Sequence, residues 1–288
     1  MSQQQRPAAM LPRVACVSDL SGFGRCSLAV ALPILSAMGF QACPLPTVLL
    51  SAHTGYEQPY IRDLTADIAP YLAHWQHIGL QPDAVFTGFL GNERQVSLLE
   101  PLLQQARQRG APVLVDPAMA DHGRLYSTCT PALAAAMRRL LALATVATPN
   151  LTEACLLAGE EYHSLLALPE GARVQAIDRV GQKLLALGCG AAVITGIPCG
   201  EQLENAVYET GRPPAHMPVQ RVDRSFAGTG DVFSAVLCGA LLRGEELHAA
   251  VAAAAAFVYR SAVYTAQAGS PEQEGILFEP FLASLSAK

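Results

Sequence analysis

Phe226-Ala227-Gly228-Thr229-Gly230-Asp231-Val232-Phe233-Ser234-Ala235 is a glycine-rich turn that runs straight into an apolar stretch. Glycines let the backbone N–H groups at a helix N-terminus close on an anion, and the helix dipole favours negative charge there. A phosphoryl group in transfer is such an anion. Asp231 falls in the first turn and admits two readings. It either complements the helix dipole as a carboxylate near an N-terminus or acts as a general base that takes the proton of an acceptor hydroxyl.

Outward from this turn, short apolar runs alternate with longer helical patterns almost to the C-terminus. That alternation predicts an α/β fold with a central, mostly parallel sheet and helices on both faces. The predicted strands are Arg13–Val17, Gln41–Leu50, Ala84–Thr87, Pro112–Asp116, Thr145–Thr148, Ala191–Thr195 and Ala206–Glu209, in βαβα order. Helical periodicity is strong in Leu28–Met38, Glu93–Arg109 and Pro131–Leu143, and Gly39 and Gly110 stand where C-cap glycines would end the first two. With no linker, composition shift or repeat, residues 13–288 are expected to form a single domain behind a frayed lead-in, residues 1–12. In open sheets of this kind ligands bind beyond the carboxyl ends of the strands.

Composition narrows the function. A formal net charge of −5 gives no basic surface for nucleic acid. The N-terminal MSQQQRPAAMLPR has no apolar core of a signal peptide, so a cytoplasmic location is expected. The late apolar stretch Leu247–Tyr259 is followed by Arg260, falls short of a bilayer span and reads as a buried helix. Eight cysteines without a CxxC pair argue against a zinc site or a disulfide framework. They read as small buried hydrophobes, with Cys26 and Cys129 in candidate site loops.

Two familiar nucleotide signatures are absent. Gly22-Phe23-Gly24-Arg25-Cys26-Ser27 mimics a dinucleotide fingerprint, but Ser replaces the third glycine and no acid occurs from Leu20 to Tyr56 to hold a ribose. No G-x-x-x-x-G-K-[ST] loop is present.

Three further segments accompany the glycine turn: Ser51-Ala52-His53-Thr54-Gly55-Tyr56, Asp116-Pro117-Ala118-Met119-Ala120-Asp121 and Thr148-Pro149-Asn150-Leu151-Thr152-Glu153. Together with AGTGDVFSA and the opening Val17–Leu32, these resemble, in order, the motifs of the ribokinase superfamily and of its pyridoxal/pyridoxine/pyridoxamine kinase branch, closest to a bacterial pyridoxamine-kinase-like subgroup. The resemblance implies a ribokinase-like three-layer αβα fold, ATP as phosphate donor, Mg²⁺, a homodimer, and phosphorylation of the 5′-hydroxymethyl of B6 vitamers. It leaves a monovalent cation, K⁺ or Na⁺, open.

Carried over residue by residue, the resemblance makes Asp231 the base and the Gly228, Thr229 and Gly230 backbone the anion hole. Ser18, Asp19, His53, Thr54 and Tyr56 would face the vitamer, with Tyr56 or Phe89 supplying stacking area. Asp116, Asp121, Asn150, Glu153 and Thr195 would lie along the ATP phosphates, and Asp116, Asn150 and Glu153 would hold Mg²⁺, largely through water. Alternatives stand beside these roles: Asn150 and Glu153 have capping-box spacing, and Asp121 reads as a surface turn. Ala118–Thr130 is a candidate lid. Rival readings are a hydroxymethylpyrimidine kinase, whose kin often carry Cys in place of Asp231, a sugar kinase, disfavoured by the absence of a Gly-Gly pair, and a non-catalytic B6 binder.

Overall fold

The computed structural model describes residues 11–286, so most of the expected lead-in lies outside the described residues. Along the chain come β1 (Arg13–Ser21), α1 (Ser27–Ala37), β2 (Gln41–Leu50), β3 (Ile61–Asp63), α2 (Thr65–His77), β4 (Ala84–Thr87) and α3 (Glu93–Gln108). Next are β5 (Val113–Val115), the short hairpin β6 (Ala120–Asp121) and β7 (Arg124–Leu125), α4 (Pro131–Leu141), β8 (Val146–Ala147) and the helices α5 (Leu151–Ala158), α6 (Tyr162–Leu166) and α7 (Glu170–Ala186). Then come β9 (Ala191–Cys199), β10 (Gln202–Glu209), β11 (Ala215–Val219), α8 (Thr229–Leu242) and α9 (Leu247–Gln267), followed by two short 3-10 helices, Glu272–Glu274 and Glu279–Leu285.

One nine-stranded sheet has the order β11-β10-β9-β8-β5-β4-β1-β2-β3. Strands β1, β2, β4, β5, β8 and β9 run parallel, as expected of apolar strands covered on both faces. The βαβα order does not persist to the edges. β3 pairs antiparallel with β2, and β9, β10 and β11 form an antiparallel meander. The turn at Cys199–Gln202, with Gly200 at φ 58°, is too short for a parallel crossover and closes a hairpin instead. β3 lacked a readable signal because it is three residues long and exposed, and β11 because it is short and only half-buried.

Alternate residues of each parallel strand enter two separate cores. Val17, Val85, Val115, Ala147 and Ile194 face α3, α4, α5 and α7, while Cys16, Phe86, Leu114, Val146 and Val193 face α1, α8 and α9. Asp116 and Thr148, the first residues after β5 and β8, and Thr195 within β9 therefore fall on the second face, each one residue past a side chain buried on the first. Helix α1 ends through Met38 into Gly39 at φ 87°, and α3 through Arg109 into Gly110 at φ 74°, the left-handed exits expected of those glycines. Helix α9 is longer than the sequence indicated and passes the length and hydropathy criteria of a bilayer span. It lays a stripe of Ala250, Val251, Ala254 and Phe257 into the second core and exposes its other side.

Candidate active site

The glycine turn sits at the N-terminus of α8, beyond the carboxyl ends of the parallel strands. Gly228 is the N-cap at φ 77° and ψ 4°, and a Cβ there would overlap the Arg25 carbonyl oxygen, so glycine is required twice over. No side chain caps α8, which leaves the N–H groups of its first turn pointing outward beside the exposed Gly230. Two neighbours brace the turn from behind. Ala227 N–H donates to Glu272 O (3.1 Å) and Ile276 N–H donates to Ala227 O (3.1 Å), while Arg25, whose carbonyl abuts Gly228, is tied to the same segment by its N–H to Glu274 O (3.1 Å). This Pro271–Ile276 brace escaped the sequence reading because it contributes backbone, not side-chain chemistry.

Asp231 is half-buried and looks into a narrow cleft lined by Ser18, Ser27, Leu28 and Phe86. Desolvation pushes its carboxyl up to about 8; repulsion from Asp116 and Asp19 adds to this, and the Ser27 N–H opposes it. Ser27 opens α1 in the left-handed region at φ 51°.

Directly after β5, Asp116 is buried, its Oδ2 accepting from Ser234 Oγ at 2.8 Å. Glu153, 2% exposed, takes the N–H groups of Met119 (2.9 Å) and Ala120 (3.3 Å) on Oε1 and that of Asn150 (2.9 Å) on Oε2. Asn150 Oδ1 accepts from Glu153 N–H (2.9 Å), which completes the capping box, and its amide donates to Ala120 O (2.8 Å). Burial raises both acids, Asp116 repels Glu153, and no Lys or Arg forms an ion pair with either among the described residues. Thr195 lies beside Asn150 through an isolated bridge, its N–H donating to Pro149 O at 2.9 Å. Asp121 does not join this group: it is exposed on the β6–β7 hairpin and accepts from the His122 N–H. Tyr126, which sequence reasoning passed over, stands within electrostatic reach of Glu153, Asp121, Asp231 and Asp116, and desolvation together with these charges pushes its phenol up.

The expected lid is tied down at its base. Met119 and Ala120 are fully buried and hydrogen-bonded to Glu153, and Gly123 N–H donates to Thr152 Oγ1 at 3.0 Å. On the opposite side, Ser18 and Asp19 are both buried. Ser18 Oγ receives the Phe89 N–H at 3.0 Å, and Asp19 Oδ2 receives the Ser21 hydroxyl at 3.1 Å. Desolvation raises the Asp19 carboxyl, against hydrogen bonds led by Ser27 and Ser21. His53 packs its ring over Gly24, accepts Gly55 N–H on Nδ1 (3.1 Å) and so carries its proton on Nε2, which meets Gln273 O at 2.6 Å. Its ring lies edge-on to Tyr56, with centroids 5.0 Å apart, and Phe23 stands 5.5 Å from Tyr56 on another side. Thr54 sits half-buried between them in the chain. The Tyr56 hydroxyl is shielded from solvent without a hydrogen-bond partner, a polar atom left for a ligand to satisfy. Phe89 belongs instead to a small apolar cluster with Val48 and Leu50.

A family model described as phosphomethylpyrimidine kinase matches residues 35–275. A pyridoxine/pyridoxal/pyridoxamine kinase of Bordetella avium is 34% identical over 275 residues, covering 90% of this chain and 87% of its own length. The chain belongs to the pyridoxal kinase family. Solved structures of kinases agree with the fold. A Bacteroides thetaiotaomicron protein described as a phosphomethylpyrimidine kinase and crystallised with pyridoxal superposes with TM-score 0.87 at 33% identity, over 96% of each chain. The pyridoxal kinase of Lactobacillus plantarum superposes with TM-score 0.85 at 30% identity, over 96% of this chain and 97% of that one. The sheet order and the helices on both faces are thus those of a ribokinase-like pyridoxal kinase.

Proposed function

We propose that this chain moves the γ-phosphate of ATP onto the 5′-hydroxymethyl group of pyridoxal, pyridoxine or pyridoxamine, with Asp231 as the base. One observation carries the reading. Asp231 is a half-buried carboxyl, held up to about 8, at the mouth of an uncapped helix N-terminus. A base near the working pH accepts the hydroxyl proton as its oxygen attacks, and the adjacent N–H groups of Thr229, Gly230 and Asp231 face the charge that develops on the phosphoryl group. Ser18, His53, Thr54 and Tyr56 frame the acceptor side, with the orphaned Tyr56 hydroxyl offered to a ring substituent. Asp19, buried and holding the Ser21 hydroxyl, supports the wall behind them.

The acids on the phosphate side fit a divalent cation. Asp116 and Glu153 are buried, mutually repulsive and without a basic partner among the described residues, which is the setting a hard cation relieves. Asp116 would hold Mg²⁺, with Asn150 and Glu153 acting through water because their oxygens already serve the capping box. When bound, Mg²⁺ supplies charge neutralisation at the β- and γ-phosphates. Thr195, beside Asn150, would contact phosphate. Asp121 is too exposed to carry more than a rim contact. A monovalent cation, a homodimeric assembly and a cytoplasmic place complete the proposal on family grounds.

The description of the matching family model favours a second acceptor, a hydroxymethylpyrimidine. The carboxylate at Asp231 favours the vitamers. Initial rates with ATP and Mg²⁺ on pyridoxal, pyridoxine, pyridoxamine and 4-amino-5-hydroxymethyl-2-methylpyrimidine decide it: kcat/KM is expected to be highest for a vitamer, and a higher value for the pyrimidine would overturn the assignment.

A further inference from the structure

Asp116 has a partner that its place at the end of β5 did not announce. Ser234 Oγ donates to Asp116 Oδ2 at 2.8 Å, and Ser234 Oγ also lies 2.9 Å from Thr148 Oγ1. A hydroxyl has one proton. Since Ser234 gives its proton to Asp116, Thr148 must donate to Ser234, and the chain of bonds runs Thr148 to Ser234 to Asp116. All three are buried, at 3%, 1% and 6% exposed, so none exchanges these bonds for water.

The direction of the Ser234 hydroxyl is unusual for its position. A serine or threonine inside a helix commonly turns its hydroxyl onto the carbonyl four residues back. Ser261 on α9 does this to Phe257 O at 2.9 Å, and Thr265 does it to Ser261 O at 2.6 Å. Ser234 reaches away from its own helix, drawn by Asp116 and set by Thr148. It stands three residues after Asp231 and so shares that residue's side of α8. It also supplies the sole side-chain donor to Asp116 among the described residues.

We infer that Ser234 is a positioning residue: with Thr148 it fixes the Asp116 carboxylate, presents its other oxygen toward the phosphate side, and locks that acid to the helix that carries Asp231. The inference rests on the proposed reading that Asp116 serves the phosphate side and Asp231 the acceptor. It explains why a serine is placed where an apolar helix face would otherwise continue through Phe233, Ala235 and Val236.

The test compares Ser234→Ala, Thr148→Val, Thr148→Ser, Asp116→Asn and the double variant Ser234→Ala/Asp116→Asn. Two readouts are taken: steady-state kcat and KM for pyridoxal, and Mn²⁺ binding followed by electron paramagnetic resonance with ADP present and no turnover. Loss of a hydrogen bond to a buried charge predicts that Ser234→Ala lowers kcat and Mn²⁺ affinity about 30-fold, with KM for pyridoxal changed less than about 2-fold. Thr148→Val moves both in the same direction by less, and Thr148→Ser keeps more of each than Thr148→Val. In the Asp116→Asn background, Ser234→Ala adds less than about 2-fold, because its path is already cut. Ser234→Ala with unchanged kcat and Mn²⁺ affinity while Asp116→Asn loses both would overturn the inference and leave the function standing, as would additive losses in the double variant. Asp116→Asn without loss would overturn both the inference and the role given to Asp116. If Ser234→Ala does not fold, the two Thr148 variants decide the same question.

Discussion

At the residue scale, the burial that tunes Asp231 has a cost that can be measured. Its carboxyl is held up to about 8 in the folded protein and returns toward 3.8 when unfolded. The folded state therefore keeps a proton that the unfolded chain releases, so this group's contribution to stability falls as pH rises from about 4 through about 8. In metal-free protein, Asp231→Asn is expected to raise Tm by roughly 3 °C at pH 9 and to leave it unchanged near pH 4. A scanning calorimeter reads this directly, and equal Tm values at pH 9 would show that the carboxyl is not strained by its site. Gly228 carries the opposite prediction. With φ at 77° and the Arg25 carbonyl where a Cβ would go, Gly228→Ala is expected to lose about 2–3 kcal/mol in urea unfolding and most of the activity.

At the element scale, what the sequence made legible follows how each element is stabilised. The parallel strands were readable because both faces are buried and the residues form apolar runs, and α8 was readable because glycines and an acid stand at its start. The Asn150–Glu153 pair was legible as a capping box, which is fully formed. Strand β11 was not readable, since it is anchored through a side chain that no local pattern reveals. His216 on β11 bonds Glu204 of β10 at 2.5 Å and Asp178 of α7 at 3.0 Å, and Tyr208 shares that aspartate. Desolvation lowers the His216 pKa, but the bonds to Glu204 and Asp178 outweigh it and the net shift is upward. A raised histidine stabilises below its unfolded value of 6.5 and loses that contribution as pH rises through the folded value. His216→Gln is thus expected to cost about 1 kcal/mol at pH 5.5 and less at pH 9, by chemical unfolding at each pH. A constant difference would mean that the imidazole is held only as a neutral wedge.

At the scale of the whole molecule, the fold brings five distant stretches to one end of the sheet. Loop 22–27, loop 51–56, the end of β5, the start of α5 and the turn before α8 meet there, closed from behind by Pro271–Ile276. The motifs located the first five, because each keeps side chains whose chemistry is recognisable. The sixth was invisible, since it acts by carbonyl and N–H groups from near the chain's end. The surroundings of Ser18 and Asp19 were equally hidden: both are buried, Ser18 Oγ taking the Phe89 N–H and Asp19 Oδ2 the Ser21 hydroxyl. In the proposed reading, two carboxyls at this end take separate tasks, Asp231 toward the acceptor and Asp116 toward the donor.

The most direct test of that division is the rate of pyridoxal 5′-phosphate formation from pyridoxal, ATP and Mg²⁺ by the unmodified chain and by Asp231→Asn, with pyridoxal binding measured alongside. Loss of a general base predicts that kcat falls about 10³-fold while pyridoxal binds as before. A variant that turns over within a few-fold of the unmodified chain would contradict the assignment of Asp231 as the base.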